Sequence, residues 1–280
     1  MNALQMILFA VLQGISELFP VSSLGHGVLV PALLDWDLNR QNPDFLPFLV
    51  VLHLGTAGAL FIYFWRDWKE LISAGIFPKR EPASRSKARV FWLLVVATIP
   101  AGMIGLLLEK KLRILFGGFG IVALFLAING VILILGDRLR HQEGSHRLES
   151  LSWQKAVSIG FAQALALIPG ISRSGITLVA GLANGLNYAE SAHFSFLLAT
   201  PIIGAAGILE IPKLFKEGVH LDPGLVLIAG LVAGLFAYLS VWFLMRYFKT
   251  HEIKALRPFG FYCLVLGLGA LAWHYRSLFS

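Results

Sequence analysis

The chain has 280 residues, 57% of them apolar and only 14% charged, with a mean hydropathy of +0.74 and a formal charge of +7. A water-soluble domain of this length fills its core with far less apolar material, so the bilayer is the expected solvent. The excess positive charge lies between apolar stretches, where it reads as a topology signal and not as a nucleic-acid surface, and the lone cysteine, Cys263, excludes an intramolecular disulfide, a thiolate metal cluster and dithiol redox chemistry.

The first dozen residues are apolar but lack the basic leader and small-residue cleavage site of a secretion signal, so they are expected to belong to the folded protein. Residues 3–34 hold enough apolar side chains for a span, yet Pro20 and clustered Gly and Ser cut them near the middle, which predicts a re-entrant pair of half-helices. Full spans follow at 44–65, 89–108 and 117–136, each long enough to cross about 30 Å of hydrocarbon at about 1.5 Å per residue. Residues 153–187 are broken at Pro169 in the same manner, and spans at 192–212, 224–247 and 258–275 come after them. The expected fold is an all-α polytopic membrane protein with six transmembrane helices and two re-entrant helical hairpins.

Offsetting the chain by 150 residues lays Gln13 on Gln163, Ser22 on Ser172 and Gly25 on Gly175, with an early proline in each block. One hairpin and three spans per half is an odd number of crossings, so the second half, 150–280, is expected to be inverted relative to the first, 1–140. Orientation follows from the basic residues. With 66–89, 137–155 and 246–257 inside, 15 Lys and Arg are cytoplasmic against 7 outside, and only Arg173 is left within the membrane region. Both termini are then external, and the first hairpin opens to the outer face of the membrane.

Ionisable residues are costly in hydrocarbon, and this chain puts Glu17, His26 and Arg173 at or beside the broken tips. Singly, each has an ordinary explanation: a helix-end carboxylate, a satisfied core imidazole, a tie to backbone carbonyls. Together, at matching points of a repeat and set among Ser and Gly, they point to a site. Gln13 and Glu17 are one helical turn apart and share a face, where they can offer a hard cation a carboxylate and a neutral oxygen. An interhelical hydrogen-bonded pair is an equally good account of them. Ser22 or Ser23 can cap a half-helix over 24–34, and Ser172 or Ser174 one over 175–187. Helix starts at Gly25 and Gly175, with the planar guanidinium of Arg173, favour a phosphate. Ser23 and His26, three residues apart, can act as nucleophile and base in phosphoryl transfer, and Thr177, a turn after Arg173, adds a hydroxyl or simply bonds back to its own helix.

At these residues the chain resembles the undecaprenyl-diphosphatase family, bacterial enzymes linked to bacitracin resistance. The resemblance covers essentially the whole length, through Gln13-x-x-x-Glu17, Pro20-Val21-Ser22-Ser23-x-Gly25-His26, Pro169-Gly170-x-Ser172-Arg173-Ser174-Gly175 and Phe194-Ser195-Phe196-Leu197-Leu198 with Pro201. It implies release of inorganic phosphate from undecaprenyl diphosphate, aided by a divalent cation, Mg²⁺ or Ca²⁺, with Glu17, Ser23, His26 and Arg173 at functional positions. The implied partners are the lipid substrate and the bilayer, with a homodimer as a compatible assembly. Gln13 stands where many relatives carry a second Glu, and Tyr188 and Cys263 where many carry Arg. The phosphatidate-phosphatase pattern needs a His six residues after the arginine, where this chain has Val179. The rival reading is a transporter of a phosphorylated lipid or anion, since inverted repeats with broken helices also build such proteins. Anion coordination alone has no use for the Ser23 and His26 pair.

Overall fold

The computed structural model describes residues 2–36, 44–115, 118–139, 147–212, 221–251 and 254–279, and among them every regular element is a helix. They run α1 (Ala3–Leu18), α2 (Ser23–Leu33), α3 (Phe45–Tyr63), α4 (Trp65–Ile76), α5 (Pro82–Leu115) and α6 (Phe119–Gly136). Then come α7 (Trp153–Ala164), α8 (Arg173–Ala183), α9 (Tyr188–Glu210), α10 (Pro223–Thr250) and α11 (Arg257–Phe279). Six segments are long and apolar enough to cross a bilayer: Phe45–Tyr63, Pro82–Leu108, Phe119–Gly136, Tyr188–Leu209, Pro223–Thr250 and Arg257–Arg276. The chain is an all-α, multi-pass membrane protein, and each expected span is a helix.

Two segments differ from the sequence reading. Residues 66–89 are not a loop: α4 occupies most of the first half, burying Trp68, Leu71, Ala74 and Gly75 on one face while Arg66, Lys69 and Glu70 stay exposed. Its apolar residues are spaced at helical intervals among charges, a pattern that a test for uninterrupted apolar length passes over. The expected loop at 109–116 is the continuation of α5, which runs to Leu115 through Leu, Glu, Lys and Arg without a Gly or Pro to stop it. Arg40, Arg140, Lys213 and Lys216, used in the orientation argument, lie outside the described residues.

α10 packs along α1 and α3, α5 along α7, and α6 along α11, while α9 contacts α3 and α8. Lipid tails are as apolar as these helices, so association depends on close approach at small residues. A Cβ at Gly55 of α3 would strike the carbonyl of Gly230 of α10, and one at Gly130 of α6 would strike that of Gly260 of α11. A polar clamp closes one end of this second pair. Asp137, just past α6, has a buried carboxylate that accepts from Tyr188 Oη at 2.6 Å, Leu256 N–H at 3.1 Å and Arg257 Nε at 2.8 Å. Tyr188 thus has structural work in this chain, joining α9 to α6.

Candidate active site

Both broken regions follow one rule. A residue before proline is driven out of the helical basin, and Phe19 and Ile168 are extended, with ψ of 141° and 120°. The chain then turns tightly, through Ser22 at φ 69° in one tip and Gly170 at φ 104° in the other. Gly170 is required twice over, because a Cβ there would also meet Val122 O of α6 at 2.6 Å. Ser22 and Ser172 cap the half-helices that follow, each accepting the N–H three residues on, from Gly25 and Gly175, at 3.2 Å. The half-helices are Ser23–Leu33 and Arg173–Ala183, both starting earlier than expected and the second also shorter, which places Ser23, Arg173 and Ser174 in opening turns.

The two tips touch. Gly25 packs on Gly170 and Gly175 on Pro20, and Ser174 Oγ donates to Phe19 O at 3.1 Å. Asn129, fully buried on α6, ties them from behind: its Nδ2 donates to Pro20 O at 3.1 Å and its Oδ1 accepts from Ser172 N–H at 3.0 Å. The Nδ2 also lies 3.4 Å from Cys263 Sγ, so the small thiol at this position packs behind the first tip.

Glu17 is the hub. Its Oε2 accepts from Ser23 Oγ at 2.5 Å and Gln13 Nε2 at 3.2 Å, and its Oε1 accepts from Arg173 Nη2 at 3.0 Å. The carboxylate side chain is only 8% exposed, so this pairing with Arg173, reaching across from the other tip, is what makes a charge tolerable there. Arg173 Nη1 lies 3.5 Å from Ser195 O. A guanidinium has five donors, so two contacts leave capacity for phosphate oxygens. Thr177 does bond back to its helix, donating to Arg173 O at 2.7 Å, and its hydroxyl sits 2.6 Å from Ser195 Oγ. Ser195 therefore meets the guanidinium of Arg173 with its carbonyl, while its hydroxyl bonds Thr177 Oγ1 and Ser174 O on the same opening turns.

His26 is near but turned elsewhere. Ser23 gives its proton to Glu17, while His26 Nδ1 is 2.8 Å from Ser22 O and Nε2 is 2.7 Å from Tyr262 Oη. The Ser23 to His26 hydrogen bond expected from spacing is replaced by one to Glu17. Three participants escaped the sequence reading, His53, Asn129 and Tyr262, and a fourth, Ser195, entered it only within the family motif and without a role. His53 of α3 lies 3.6 Å from Glu17 Oε2 and 3.2 Å from Gln13 Nε2, with Nδ1 on Leu49 O at 2.8 Å. An ionisable residue inside a span was itself a signal.

Among the described residues no three His, Cys, Asp or Glu side chains gather into a metal cluster. Around Glu17 stand one carboxylate, the Ser23 hydroxyl, and a Gln13 amide that can rotate its oxygen inward. That sparse oxygen set fits the habit of Mg²⁺, which takes one or two carboxylates and fills its shell with water and substrate phosphate, better than Ca²⁺ with its roughly six to eight ligands.

Residues 6–269 match the family described as Bacitracin resistance protein BacA. The chain is 61% identical over 272 residues to Undecaprenyl-diphosphatase 2 of Chromobacterium violaceum, covering 97% of this chain and 98% of that one. It is 52% identical over 291 residues to Undecaprenyl-diphosphatase of Granulibacter bethesdensis, covering 98% and 97%, and 47% identical over 272 residues to that of Acidiphilium cryptum, covering 95% and 96%. The matched stretch spans both tips, and with likeness of this degree along nearly the whole of both chains the chain belongs to the BacA family.

Proposed function

We propose that this chain hydrolyses undecaprenyl diphosphate to undecaprenyl phosphate and inorganic phosphate, which returns the lipid carrier to cell-wall synthesis and confers bacitracin resistance. The observation that carries this reading is the convergence of Ser23 and Arg173 on one buried carboxylate, Glu17, in a chain so similar to undecaprenyl-diphosphatases. A diphosphate headgroup brings negative charge into a region of low dielectric, and Arg173 is the cation within reach. Its oxygens compete with Glu17 for the guanidinium. Glu17, released from Arg173, accepts the proton of Ser23 as Ser23 Oγ bonds to the terminal phosphorus and the bond from that phosphorus to the bridging oxygen breaks. Undecaprenyl phosphate leaves. Water then displaces Ser23 from the phosphorus, and the proton held by Glu17 returns to Ser23 Oγ. A divalent cation, Mg²⁺ ahead of Ca²⁺, held by Glu17 and the rotated Gln13 amide, would supply further neutralisation of the diphosphate.

The site is read as the meeting of two re-entrant hairpins, α1–α2 and α7–α8, in inverted halves 1–140 and 150–280. Support comes from the matching proline breaks, the matching serine caps and the packing of α1 on α10 as α7 packs on α5. The basic-residue balance of 15 to 7 favours a first hairpin opening to the outer face of the inner membrane. Phosphate release from C55 diphosphate by purified protein, with and without Mg²⁺, tests the activity. A transporter would bind the lipid and release nothing.

A further inference from the structure

His53 of α3 stands beside Glu17 with no part in the path of the Ser23 proton. Its Nδ1 faces Leu49 O at 2.8 Å, and a carbonyl only accepts, so Nδ1 carries the proton and Nε2 turns a lone pair toward α1. There Gln13 Nε2 lies 3.2 Å from both His53 Nε2 and Glu17 Oε2, and the last two atoms are 3.6 Å apart. One amide nitrogen thus bridges two acceptors. Turning the amide over, so that its oxygen and nitrogen change places, would set three electron-pair donors on the corners of that triangle, an arrangement that repels itself unless a cation lies among them. Nitrogen and oxygen ligands bind first-row divalent ions at about 2.0–2.2 Å, so two ligands about 90–110° apart are separated by about 2.8–3.6 Å. The triangle has that size. Packed helices hold its corners: Gly14, next to Gln13, lies against Ala233 O of α10, and Gly55, two residues from His53, against Gly230 O of the same helix.

Resting on the reading of Glu17 and Gln13 as the cation pair of a diphosphatase, we infer that His53 Nε2 is a third ligand and that the site selects a first-row divalent ion of the Mn²⁺ type over Mg²⁺ and Ca²⁺. A ligating histidine donates the proton of its other ring nitrogen to a carbonyl or carboxylate, and Leu49 O receives it here. Mg²⁺ and Ca²⁺ take oxygen ligands and gain little from an imidazole, whereas first-row ions accept nitrogen and oxygen together. Mg²⁺ stays ahead of Ca²⁺ among the hard ions, and Mn²⁺ binds ahead of both. The ion takes the place of the Gln13 N–H on Glu17 Oε2, while Ser23 stays on that oxygen and Arg173 holds the other, Oε1. Three ligands from two helices leave the rest of the coordination shell to water and the diphosphate.

Purified protein in detergent is titrated with Mn²⁺ alone, without lipid. Electron paramagnetic resonance reads the bound ion, and spin-echo modulation reports a nitrogen bound directly to it. Wild type should show nitrogen modulation and, in competition, bind Mn²⁺ about tenfold more tightly than Mg²⁺ or better. His53→Ala and His53→Gln, the second keeping a polar side chain on α3, should both lose the modulation and weaken Mn²⁺ binding about tenfold or more, with Mg²⁺ affinity within about threefold of wild type. Wild type that binds no Mn²⁺, or binds it without nitrogen modulation, would overturn the ligand role, as would unchanged Mn²⁺ affinity in both variants. Mg²⁺ binding as tightly as Mn²⁺ would overturn the selectivity. Mn²⁺ held through nitrogen by a wild-type protein that releases no phosphate from C55 diphosphate would bear out the ligand set and refute the diphosphatase reading alone.

Discussion

Replacing Arg173 by lysine separates its chemical role from its structural one. The guanidinium spans Glu17 Oε1 at 3.0 Å and Ser195 O at 3.5 Å, a two-point hold that a single ammonium cannot make while also gripping phosphate. Lysine keeps a positive charge beside Glu17, so the buried carboxylate is not stranded and the fold should survive. Alanine strands it, at a cost of about 3–5 kcal/mol in stability. For turnover the two should converge. Loss of a preorganised electrostatic donor lowers kcat on the order of a hundredfold, equivalent to about 2.7 kcal/mol in the barrier. Phosphate release from C55 diphosphate, measured beside thermal unfolding in the same detergent, should show both variants nearly inactive but only Arg173→Ala destabilised. Arg173→Lys retaining more than half of the wild-type rate would make Arg173 no more than a tie between the tips.

With Glu17 the one carboxylate in the motif, Glu17→Gln should raise the Mg²⁺ concentration for half-maximal activity and Gln13→Glu should lower it; unchanged metal titrations in both would remove the pair from cation binding. Asn129→Leu leaves Ser172 N–H buried without its partner and Pro20 O with only the long contact to Cys263 Sγ, which should cost about 1–3 kcal/mol and slow turnover by loosening both tips. Wild-type thermal unfolding of that variant would contradict the tie. Orientation is tested with single cysteines at positions 40 and 84 in a Cys263→Ser background: an impermeant maleimide applied to spheroplasts should label the first and spare the second, and the reverse pattern would move the site to the cytoplasmic face.

The parts of the site that were legible in the sequence are those set by local rules. Pro20 and Pro169 stop their helices, Ser22 and Ser172 restart them, and the four-residue spacing of Gln13 and Glu17 puts both on one face of α1. What local rules cannot say is which distant element supplies the partner. Ser23 and His26 are close in sequence, but Glu17, six residues back across the proline break, wins the hydroxyl, and Tyr262, 236 residues on, takes the imidazole. Asn129 was hidden for the same reason: within an apolar span it looks like an isolated polar residue, and its purpose appears only once both tips are packed against α6. α4 was missed for a different reason, since its charged and apolar residues alternate around the helix and never build a long apolar run.

Breaking the diphosphate bond, as opposed to carrying the lipid across the membrane, leaves a chemical product that can be counted. Purified protein in proteoliposomes loaded with C55 diphosphate, followed by ³¹P NMR, reads this directly. Wild type should convert the diphosphate signals into equal amounts of lipid monophosphate and inorganic phosphate, and Ser23→Ala, which removes the hydroxyl held by Glu17, should leave them unconverted. Diphosphate signals that stay intact with wild-type protein while the lipid changes leaflet would make the chain a transporter.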